Sequence, residues 1–313
     1  MEYRNLGNSG LKVSVVGLGC NNFGMRIDTE QTRVVVSKAL DEGINLFDTA
    51  DIYGNRGGSE TMLGKALGPK RKDVIVASKF GMAMGDGPFM KGGSRRYIMS
   101  ACEASLKRLN TDYMDLYQIH FPDPETPQEE TLGALNDLVR AGKVRYIGSS
   151  NFSGVQVADT AWIAKTKGYA PYISAQNQYN LLDRRIEKDL TPACQQFGVG
   201  ILPYFPLASG FLTGKYKRGE EPSKDTRLGA MGAMAKGALT DTNFATLDKL
   251  QEFARSHGHS VLELAIGWLA SMPQVSSVIS GATKPEQVSA NVKGGDWKLT
   301  AEELAEVDKI TKR

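Results

Sequence analysis

Four polar side chains in this sequence could act together to transfer a proton. Asp48, Lys79 and His120 each end an apolar run, and Tyr53 follows Asp48 at a distance of five residues. A nearby ammonium group favours the phenolate and lowers the pKa of a phenol. We therefore expect Lys79 to activate Tyr53 as an acid and Asp48 to hold Lys79 in place. His120 would orient a carbonyl oxygen or share in the proton transfer.

Each of these residues also has a purely structural interpretation. Asp48 and Lys79 could form a buried ion pair, Tyr53 could pack in a loop, and His120 could cap a strand. Buried charges are costly without partners, and all four residues come at neighbouring strand ends, which favours shared chemistry. No Gly-x-Ser-x-Gly motif for a serine nucleophile is present. No metal site is predicted.

Short β-branched apolar runs alternate with amphipathic stretches along most of the chain. The runs that we interpret as strands are 15–19, 45–49, 74–79, 113–120, 144–149, 173–178, 200–204 and 275–280, and helical patterns include 29–42, 95–109, 128–141 and 244–257. Eight such units predict an α/β fold, a (β/α)8 TIM barrel formed by a single domain over 1–313. Such barrels place their chemistry at the C-terminal ends of the strands.

Further signals predict elements outside the eight repeated units. Segments 3–6 and 11–14 flank Gly7-Asn8-Ser9-Gly10, which indicates an N-terminal β-hairpin that could plug the barrel floor. Residues 206–242 are rich in Gly, Lys and Ala and are interpreted as a mobile loop over the barrel mouth. A Thr-x-x-Glu capping box at Thr300 predicts an extra C-terminal helix. Glycines 43, 142, 168 and 198 follow helical patterns, where left-handed caps favour glycine.

Composition and charge exclude several classes of function. The 313 residues carry 38 Lys and Arg against 35 Asp and Glu, a formal charge of only +3 with no long run of one sign, so we expect no nucleic-acid partner. We see neither a secretory signal nor 18 uninterrupted apolar residues, so we expect a cytoplasmic protein with no membrane partner. Cys20, Cys102 and Cys194 are too few and too scattered for a disulfide framework, and buried thiols are expected.

One glycine-rich segment superficially suggests a dinucleotide-binding fingerprint. Residues 15–22 contain Gly17 and Gly19, but Asn22 occupies the third glycine position, and the chain lacks the doubly wound layout that this motif requires. We instead interpret Gly19, Cys20 and Asn21 as the end of the first strand, facing the pocket.

Three segments resemble the aldo-keto reductase family. Residues 43–54, Gly-Ile-Asn-Leu-Phe-Asp-Thr-Ala-Asp-Ile-Tyr-Gly, look like its signature segment with the Asp and the Tyr, while Ser78-Lys79 and Gln118-Ile119-His120 match its Lys and His. The resemblance covers nearly the whole chain. It implies reduction of an aldehyde or ketone, a small-molecule carbonyl substrate, by NADPH bound across the barrel mouth, with Asp48, Tyr53, Lys79 and His120 as the catalytic tetrad.

The resemblance also implies a set of cofactor contacts. Ser150, Asn151 and Gln176 resemble the groups that bind the carboxamide, and Tyr204 resembles the aromatic residue that stacks on the nicotinamide. The remaining contacts implied are Gly19, Cys20, Asn21, Asp48, Pro206, Leu207, Ser209, Lys215, Arg227, Gly281, Thr283, Gln287 and Asn291.

The chain departs from many relatives at the adenosine end. Ser280-Gly281 stands where they have Pro-Lys, and Gln287 stands where they have Arg. NADH is therefore a possible cofactor beside NADPH. Lys284 or Arg227 would supply the missing charge for the 2′-phosphate.

A second class of function stays open. The sequence also resembles the branch that contains potassium-channel β subunits, which implies an NADPH-binding regulatory or redox-sensing subunit with little turnover. Because we see no extra segment before the barrel, we expect the enzyme. The pattern leaves the oligomeric state and the physiological substrate open.

Overall fold

A curved parallel sheet forms the centre of the protein. The computed structural model describes residues 1–232 and 237–312. Within them, β1 (Tyr3–Asn5) and β2 (Lys12–Ser14) form a separate hairpin, and eight parallel strands follow; the first seven of the eight pair in chain order, and the last pairs with the first. These strands are β3 (Val16–Gly19), β4 (Leu46–Asp48), β5 (Ile75–Phe80), β6 (Met114–Ile119), β7 (Val144–Ser150), β8 (Tyr172–Gln176), β9 (Gly200–Ile201) and β10 (Val278–Gly281).

Backbone hydrogen bonds close this sheet into a barrel. Ile201 N–H donates to the Gln274 carbonyl at 2.7 Å, Ser276 N–H donates to Ile201 at 3.0 Å, and Ile279 N–H donates to Pro203 at 3.0 Å. The predicted (β/α)8 barrel is therefore confirmed. Strand β9, predicted over 200–204, is shorter than predicted. Its regular pairing ends at Ile201, and beyond this residue an isolated bridge joins Tyr204 to Gln178.

Helices surround the sheet on its outer face. They are α1 (Thr29–Asp41), α2 (Tyr53–Leu67), α3 (Arg95–Leu109), α4 (Gln128–Arg140), α5 (Gly154–Lys167), α6 (Leu190–Phe197), α7 (Arg227–Met231), α8 (Asp241–Ser256), α9 (Val261–Ala270), α10 (Pro285–Gly294) and α11 (Ala301–Thr311), with 3-10 turns at Gly68–Asp73, Arg185–Lys188 and Ala208–Thr213. The glycines predicted to cap helices, 43, 142, 168 and 198, all have φ between +67° and +80°. The capping box at Thr300 begins α11, as predicted.

The N-terminal hairpin closes the floor of the barrel. Strand β1 (Tyr3–Asn5) pairs with β2 (Lys12–Ser14) in antiparallel register. Leu6 and Val13 are completely buried and pack with residues of the barrel strands, among them Leu116 and Leu202. A Cβ at Gly7 would lie 2.5 Å from the Gly198 carbonyl oxygen, so only glycine permits this approach.

The segment 206–242 contains more local structure than the predicted loop. It includes the 3-10 turn Ala208–Thr213 and helix α7, and residues 233–236 of the predicted loop lie outside the described residues. In the part of the chain that the structure describes, no helix has the length and apolar character needed to cross a membrane. Cys20, Cys102 and Cys194 are free and buried, as expected.

Candidate active site

Three of the four predicted catalytic residues lie at the C-terminal ends of three adjacent strands. Asp48 is the last residue of β4, Lys79 is the penultimate residue of β5, and His120 directly follows β6. Tyr53, predicted in the loop after the second barrel strand, is the first residue of α2, but the regular helical backbone of α2 begins only after Gly57.

A left-handed turn separates Tyr53 from the rest of α2. Gly54, Asn55, Arg56 and Gly57 have φ of 67°, 61°, 67° and 110°. Left-handed backbone costs a residue with a side chain roughly 1–2 kcal/mol, with asparagine the most tolerant, so surrounding contacts must hold this turn. Ser59 supplies one contact, because its hydroxyl donates to the Cys20 carbonyl at 2.8 Å.

A buried ion pair forms the base of the site. The Lys79 Nζ donates to both carboxylate oxygens of Asp48 and to the Thr49 carbonyl, each at 2.8 Å. Gln176 donates to Asp48 Oδ1 at 2.9 Å. Burial lowers the pKa of Lys79, but the charge of the Asp48 carboxylate and its hydrogen bonds act in the opposite direction, so the pKa lies above its usual value and the amine stays protonated.

The phenol of Tyr53 lies between this ammonium group and the imidazole of His120. The Lys79 Nζ is 5.2 Å from the centre of the Tyr53 ring, and the His120 ring centre is 5.6 Å away in an edge-on arrangement. Burial raises the pKa of Tyr53 and outweighs the opposing charge of Lys79. We predicted a lowered pKa; Lys79 acts in the predicted direction, but burial is the larger effect.

The pKa of His120 lies far below that of a free imidazole. Burial, and then the charge of Lys79, lower its pKa to about 3. Its Nδ1 is buried and has no hydrogen-bond partner among the described residues. Phe121 stacks on the His120 ring at 5.2 Å between centres, and about half of the Phe121 side chain is exposed.

The predicted carboxamide-binding residues form one hydrogen-bonded group beside the tetrad. Ser150 Oγ donates to the Gln176 carbonyl at 2.9 Å, and Asn151 Nδ2 donates to the His120 carbonyl at 2.9 Å. The Tyr204 hydroxyl donates to Asn151 Oδ1 at 2.7 Å. The structure thus brings these residues together with His120, and Asp48 joins them through Gln176.

The predicted pyrophosphate segment forms a tight turn after β9. Pro206 is buried, Leu207 is half-buried, and Ser209 and Gly210 are consecutive left-handed residues with φ of 58° and 89°. A Cβ at Gly210 would lie 3.3 Å from the Lys215 Nζ, which places the ammonium group of Lys215 over this turn. The N–H groups of Ala208 and Gly210 already donate to backbone carbonyls of this segment, so the ammonium group of Lys215 is the feature of this turn that suits an anion.

The predicted adenosine contacts lie at the ends of β3 and β10, which are neighbours in the sheet. Gly281 pairs with Gly19, and a Cβ at Gly281 would lie 3.6 Å from Asn21 Oδ1. Gln287 accepts hydrogen bonds from the Thr283 N–H at 2.8 Å and from its hydroxyl at 3.2 Å. The last two residues of this set, Cys20 and Asn291, are buried.

Arg227 lies against Phe205, which directly follows Tyr204. Its guanidinium stacks on the Phe205 ring at 4.5 Å. Burial, and then the charge of Arg26, lower the pKa of Arg227, and Tyr53 is also close enough to act on that pKa. Among the described residues, no carboxylate lies within 4.0 Å of the Arg227 guanidinium, so the structure leaves it able to bind an anion.

Two cavities lie near the barrel mouth. One of about 310 Å³ is lined by Asn151 and Tyr204, among others, and therefore adjoins the site. Another of about 500 Å³ lies against the segment from Pro122 to Gln128, and none of the four predicted catalytic residues lines it.

Comparison with known proteins decides the family. The model of the aldo/keto reductase family matches residues 15–312. The chain belongs to the aldo/keto reductase family. As a member, it is an oxidoreductase that acts on carbonyl groups, and this family generally binds NADP(H).

Relatives of this aldo/keto reductase carry two kinds of name. A probable voltage-gated potassium channel subunit beta from Oryza sativa subsp. japonica is 39% identical over 95% of this chain and 92% of its own length. An L-glyceraldehyde 3-phosphate reductase from Escherichia coli O157:H7 is 36% identical over 98% and 92%. A versiconal hemiacetal acetate reductase from Aspergillus parasiticus is 34% identical over 97% and 95%.

Sequence reasoning missed a buried charge cluster behind the tetrad of this reductase. Glu60 and Asp51 are almost completely buried, and Arg108 pairs with Glu60. Asp51 lies in the segment that resembles the family signature, and Glu60 follows that segment by six residues, but their side chains had no predicted partner. A carboxylate in a helical pattern is usually solvated, so no local signal distinguished Glu60.

Proposed function

We propose that this protein reduces aldehydes or ketones to alcohols, with NADPH as the hydride donor and Tyr53 as the proton donor. The observation that carries this proposal is the position of Tyr53, whose ring centre is 5.2 Å from the Lys79 Nζ and 5.6 Å from the His120 ring. A carbonyl that lies against these groups meets an acid, a fixed positive charge and a neutral hydrogen-bond donor.

Tyr53 keeps its proton at neutral pH because its pKa is raised. When negative charge develops on the carbonyl oxygen, that oxygen becomes a much stronger base than a phenolate, and the phenol proton moves to it. The phenolate left behind lies beside the ammonium of Lys79, which stabilises it. Asp48 acts indirectly, by keeping Lys79 charged and in position.

His120 orients the substrate rather than exchanging a charge with it. A neutral imidazole has one N–H donor and one acceptor nitrogen. With a pKa of about 3, the ring carries no positive charge at neutral pH and is a poor proton donor. Of its two expected roles, we therefore favour the hydrogen bond that holds the carbonyl oxygen.

The residues around the tetrad fit a nicotinamide cofactor, which would supply the hydride. Gln176 and Asn151 offer amide groups to a carboxamide. Asn151 would release the hydrogen bond that it accepts from the Tyr204 hydroxyl, and the Tyr204 ring would stack on the nicotinamide. Lys215, above the left-handed turn at Ser209, would hold the pyrophosphate. Gly19, Cys20, Asn21, Asp48, Ser150, Pro206, Leu207, Gly281, Thr283, Gln287 and Asn291 complete the proposed contacts.

Of the two residues expected to bind the 2′-phosphate, Lys284 and Arg227, we favour Lys284. The 2′-phosphate lies at the adenosine end of the cofactor, whereas Arg227 is close enough to Tyr53 to act on its pKa. We therefore assign the 2′-phosphate to Lys284, which precedes α10 beside the adenosine contacts, and a backbone phosphate of the cofactor to Arg227.

A regulatory role is the second candidate function. It is favoured by the rice relative named as a potassium channel subunit beta and by a relative of the same name from Arabidopsis thaliana, which is 38% identical. In this role the protein would bind NADPH through the same residues but would turn over little substrate.

Cofactor oxidation by the purified protein distinguishes the two functions. We would measure NADPH binding by fluorescence and NADPH oxidation with aliphatic, aromatic and phosphorylated aldehydes, the last class because of the name of the Escherichia coli relative. For the reductase we expect turnover that falls by a factor of about 100 or more in Tyr53→Phe, with NADPH affinity unchanged. Tight NADPH binding without turnover on any substrate would favour the regulatory subunit.

A further inference from the structure

A second cluster of charged and polar side chains lies on the outer side of the barrel wall, behind Tyr53 and Lys79. Glu60 is fully buried at its centre. Its Oε1 accepts a hydrogen bond from the Ser78 hydroxyl at 2.5 Å, and its Oε2 accepts one from Arg108 Nε at 2.6 Å. One carboxylate on α2 therefore contacts both β5 and α3.

The contact with Ser78 connects this cluster to the tetrad. Ser78 precedes Lys79 on β5, and successive side chains of a strand point to opposite faces of the sheet. Lys79 accordingly faces the barrel interior, where it binds Asp48, while Ser78 faces the outer helices, where it binds Glu60. The Asp51 N–H, close to Tyr53, donates to the Lys79 carbonyl at 3.0 Å and adds a backbone link between the same two segments.

The contact with Arg108 supports the left-handed turn after Tyr53. A Cβ at Gly57 would lie 2.4 Å from Arg108 Cδ, so the aliphatic part of Arg108 lies directly against this turn. Asn55 and Arg56 occupy left-handed conformations that residues with side chains seldom adopt. Such a turn persists only where its surroundings hold it, and Arg108, fixed by Glu60, is part of those surroundings.

We infer that Glu60, through Ser78 and Arg108, is a positioning residue that sets the placement of Tyr53 relative to Lys79. This inference rests on the proposed function, because the distance between the phenol and the ammonium group matters only if Tyr53 donates the proton. Glu60 itself contacts neither of the two side chains. It fixes the turn that carries one of them and the strand that carries the other.

The ion pair, and not only the shape of Glu60, is required for this role. Glutamine can still accept a hydrogen bond from Ser78, but its amide cannot neutralise the largely buried guanidinium of Arg108. An unpaired guanidinium would turn toward water and leave Gly57. Glu60→Gln therefore loosens the turn with little change in volume, and Glu60→Gln with Arg108→Gln leaves no unpaired charge.

The experiment compares Glu60→Gln with a matched control, Glu103→Gln. Glu103 lies on α3, pairs with Lys143 and is exposed. Because small displacements of reacting groups are costly, we expect kcat to fall roughly 10- to 100-fold in Glu60→Gln, with the KM for the aldehyde and the Kd for NADPH within about twofold of wild type. The double variant should recover part of kcat, and Glu103→Gln should match wild type.

A second readout does not depend on turnover. In protein labelled with 13C-tyrosine, the NMR signal of Tyr53 is identified by its loss in Tyr53→Phe. We expect this signal to move in Glu60→Gln and to stay in place in Glu103→Gln. An unchanged Tyr53 signal together with normal kcat in folded Glu60→Gln would overturn the inference.

The proposed function fails by a different result. If Tyr53→Phe retains normal turnover, Tyr53 is not the proton donor, whatever Glu60→Gln does. If Tyr53→Phe is inactive and Glu60→Gln loses NADPH affinity as much as kcat, Glu60 supports the fold in general and the positioning role is rejected.

Discussion

The ammonium nitrogen of Lys79 lies 2.8 Å from each carboxylate oxygen of Asp48, and the Lys79 side chain is completely buried. Two charges removed from water are stable only with good geometry and further hydrogen bonds. Thr49 supplies an acceptor for the ammonium group, and Gln176 supplies a donor for the carboxylate. The pair therefore has a full set of partners, and loss of either member leaves a buried charge.

The first prediction concerns the stability of this pair. Among the described residues, Lys79→Met leaves the Asp48 carboxylate with the Gln176 amide as its remaining donor, so we expect the free energy of unfolding to fall by about 3–5 kcal/mol. Lys79→Met combined with Asp48→Leu should cost less than the sum of the single variants. Urea unfolding of the three variants measures this coupling, and additive effects would show that the two charges do not depend on each other.

The sequence predicted the parts of this fold that local chemistry controls. The glycines at 43, 142, 168 and 198 were assigned to left-handed caps, and all four have positive φ. Glycine adopts this conformation readily because it has no Cβ. The continuous apolar runs predicted the parallel strands, since both faces of such a sheet are covered. Strand ends were less accurate: β9 ends at Ile201 rather than at residue 204, although the Leu202 and Tyr204 N–H groups still donate to the Ala175 and Asn177 carbonyls.

The site was predicted in its members but not in its electrostatics. The strand ends place Asp48, Lys79 and His120 together in any barrel of this kind. Whether burial or the charge of Lys79 controls the pKa of Tyr53 depends on how deeply the phenol is buried in the folded protein. The spacing of residues along the chain does not reveal this. Glu60 was missed for the same reason, because its partner Arg108 is 48 residues away.

The second prediction concerns the choice between NADPH and NADH. If Lys284 binds the 2′-phosphate, Lys284→Ala removes one charged contact and should reduce the ratio of the NADH Kd to the NADPH Kd by about tenfold or more. Arg227→Ala should weaken both cofactors alike, because both contain the same pyrophosphate. Fluorescence titration of each variant with each cofactor measures the ratios, and unchanged ratios in both would reject either residue as the 2′-phosphate contact.

The third prediction concerns the dependence of stability on pH. Burial, and then the charge of Glu60, raise the pKa of Asp51 to about 7, against the opposing charge of Arg108 and a hydrogen bond from Tyr97. Between about pH 4 and pH 7 the folded protein therefore holds a proton that the unfolded chain releases, and this contribution to stability is lost as pH rises. His120 acts with the opposite sign. With its pKa lowered to about 3, its contribution is present above about pH 6.5 and is lost as pH falls toward 3.

Because the two contributions oppose each other, single variants are needed to separate them. The free energy of unfolding of Asp51→Asn minus that of wild type should rise by about 3–4 kcal/mol as the pH is raised from about 4 to about 8. The free energy of unfolding of His120→Gln should rise relative to that of wild type as the pH falls below about 6.5. Urea unfolding across this range provides the measurement. A difference between Asp51→Asn and wild type that stays constant with pH would mean that Asp51 titrates at its ordinary value.

The fourth prediction uses two adjacent glycines of α2 with different surroundings. Gly57 has φ +110° and its Cβ would lie 2.4 Å from Arg108 Cδ, whereas Gly58 has no positive φ and its nearest neighbour would be 4.0 Å away. Gly57→Ala should therefore lower the free energy of unfolding by roughly 1–3 kcal/mol through backbone strain and displacement of Arg108. Gly58→Ala should stabilise by about 0.5–1 kcal/mol, because alanine favours a helix.

Activity separates strain from positioning in the same pair of variants. Displacement of Arg108 disturbs the turn that carries Tyr53, so Gly57→Ala should also lower kcat by roughly tenfold, while Gly58→Ala should leave it unchanged. Both variants are assayed well below their unfolding temperatures, so that loss of folded protein does not contribute. If Gly57→Ala is destabilised but fully active, the left-handed turn tolerates movement of Arg108, and the placement of Tyr53 depends on the contacts of Ser59 and the Asp51 backbone instead.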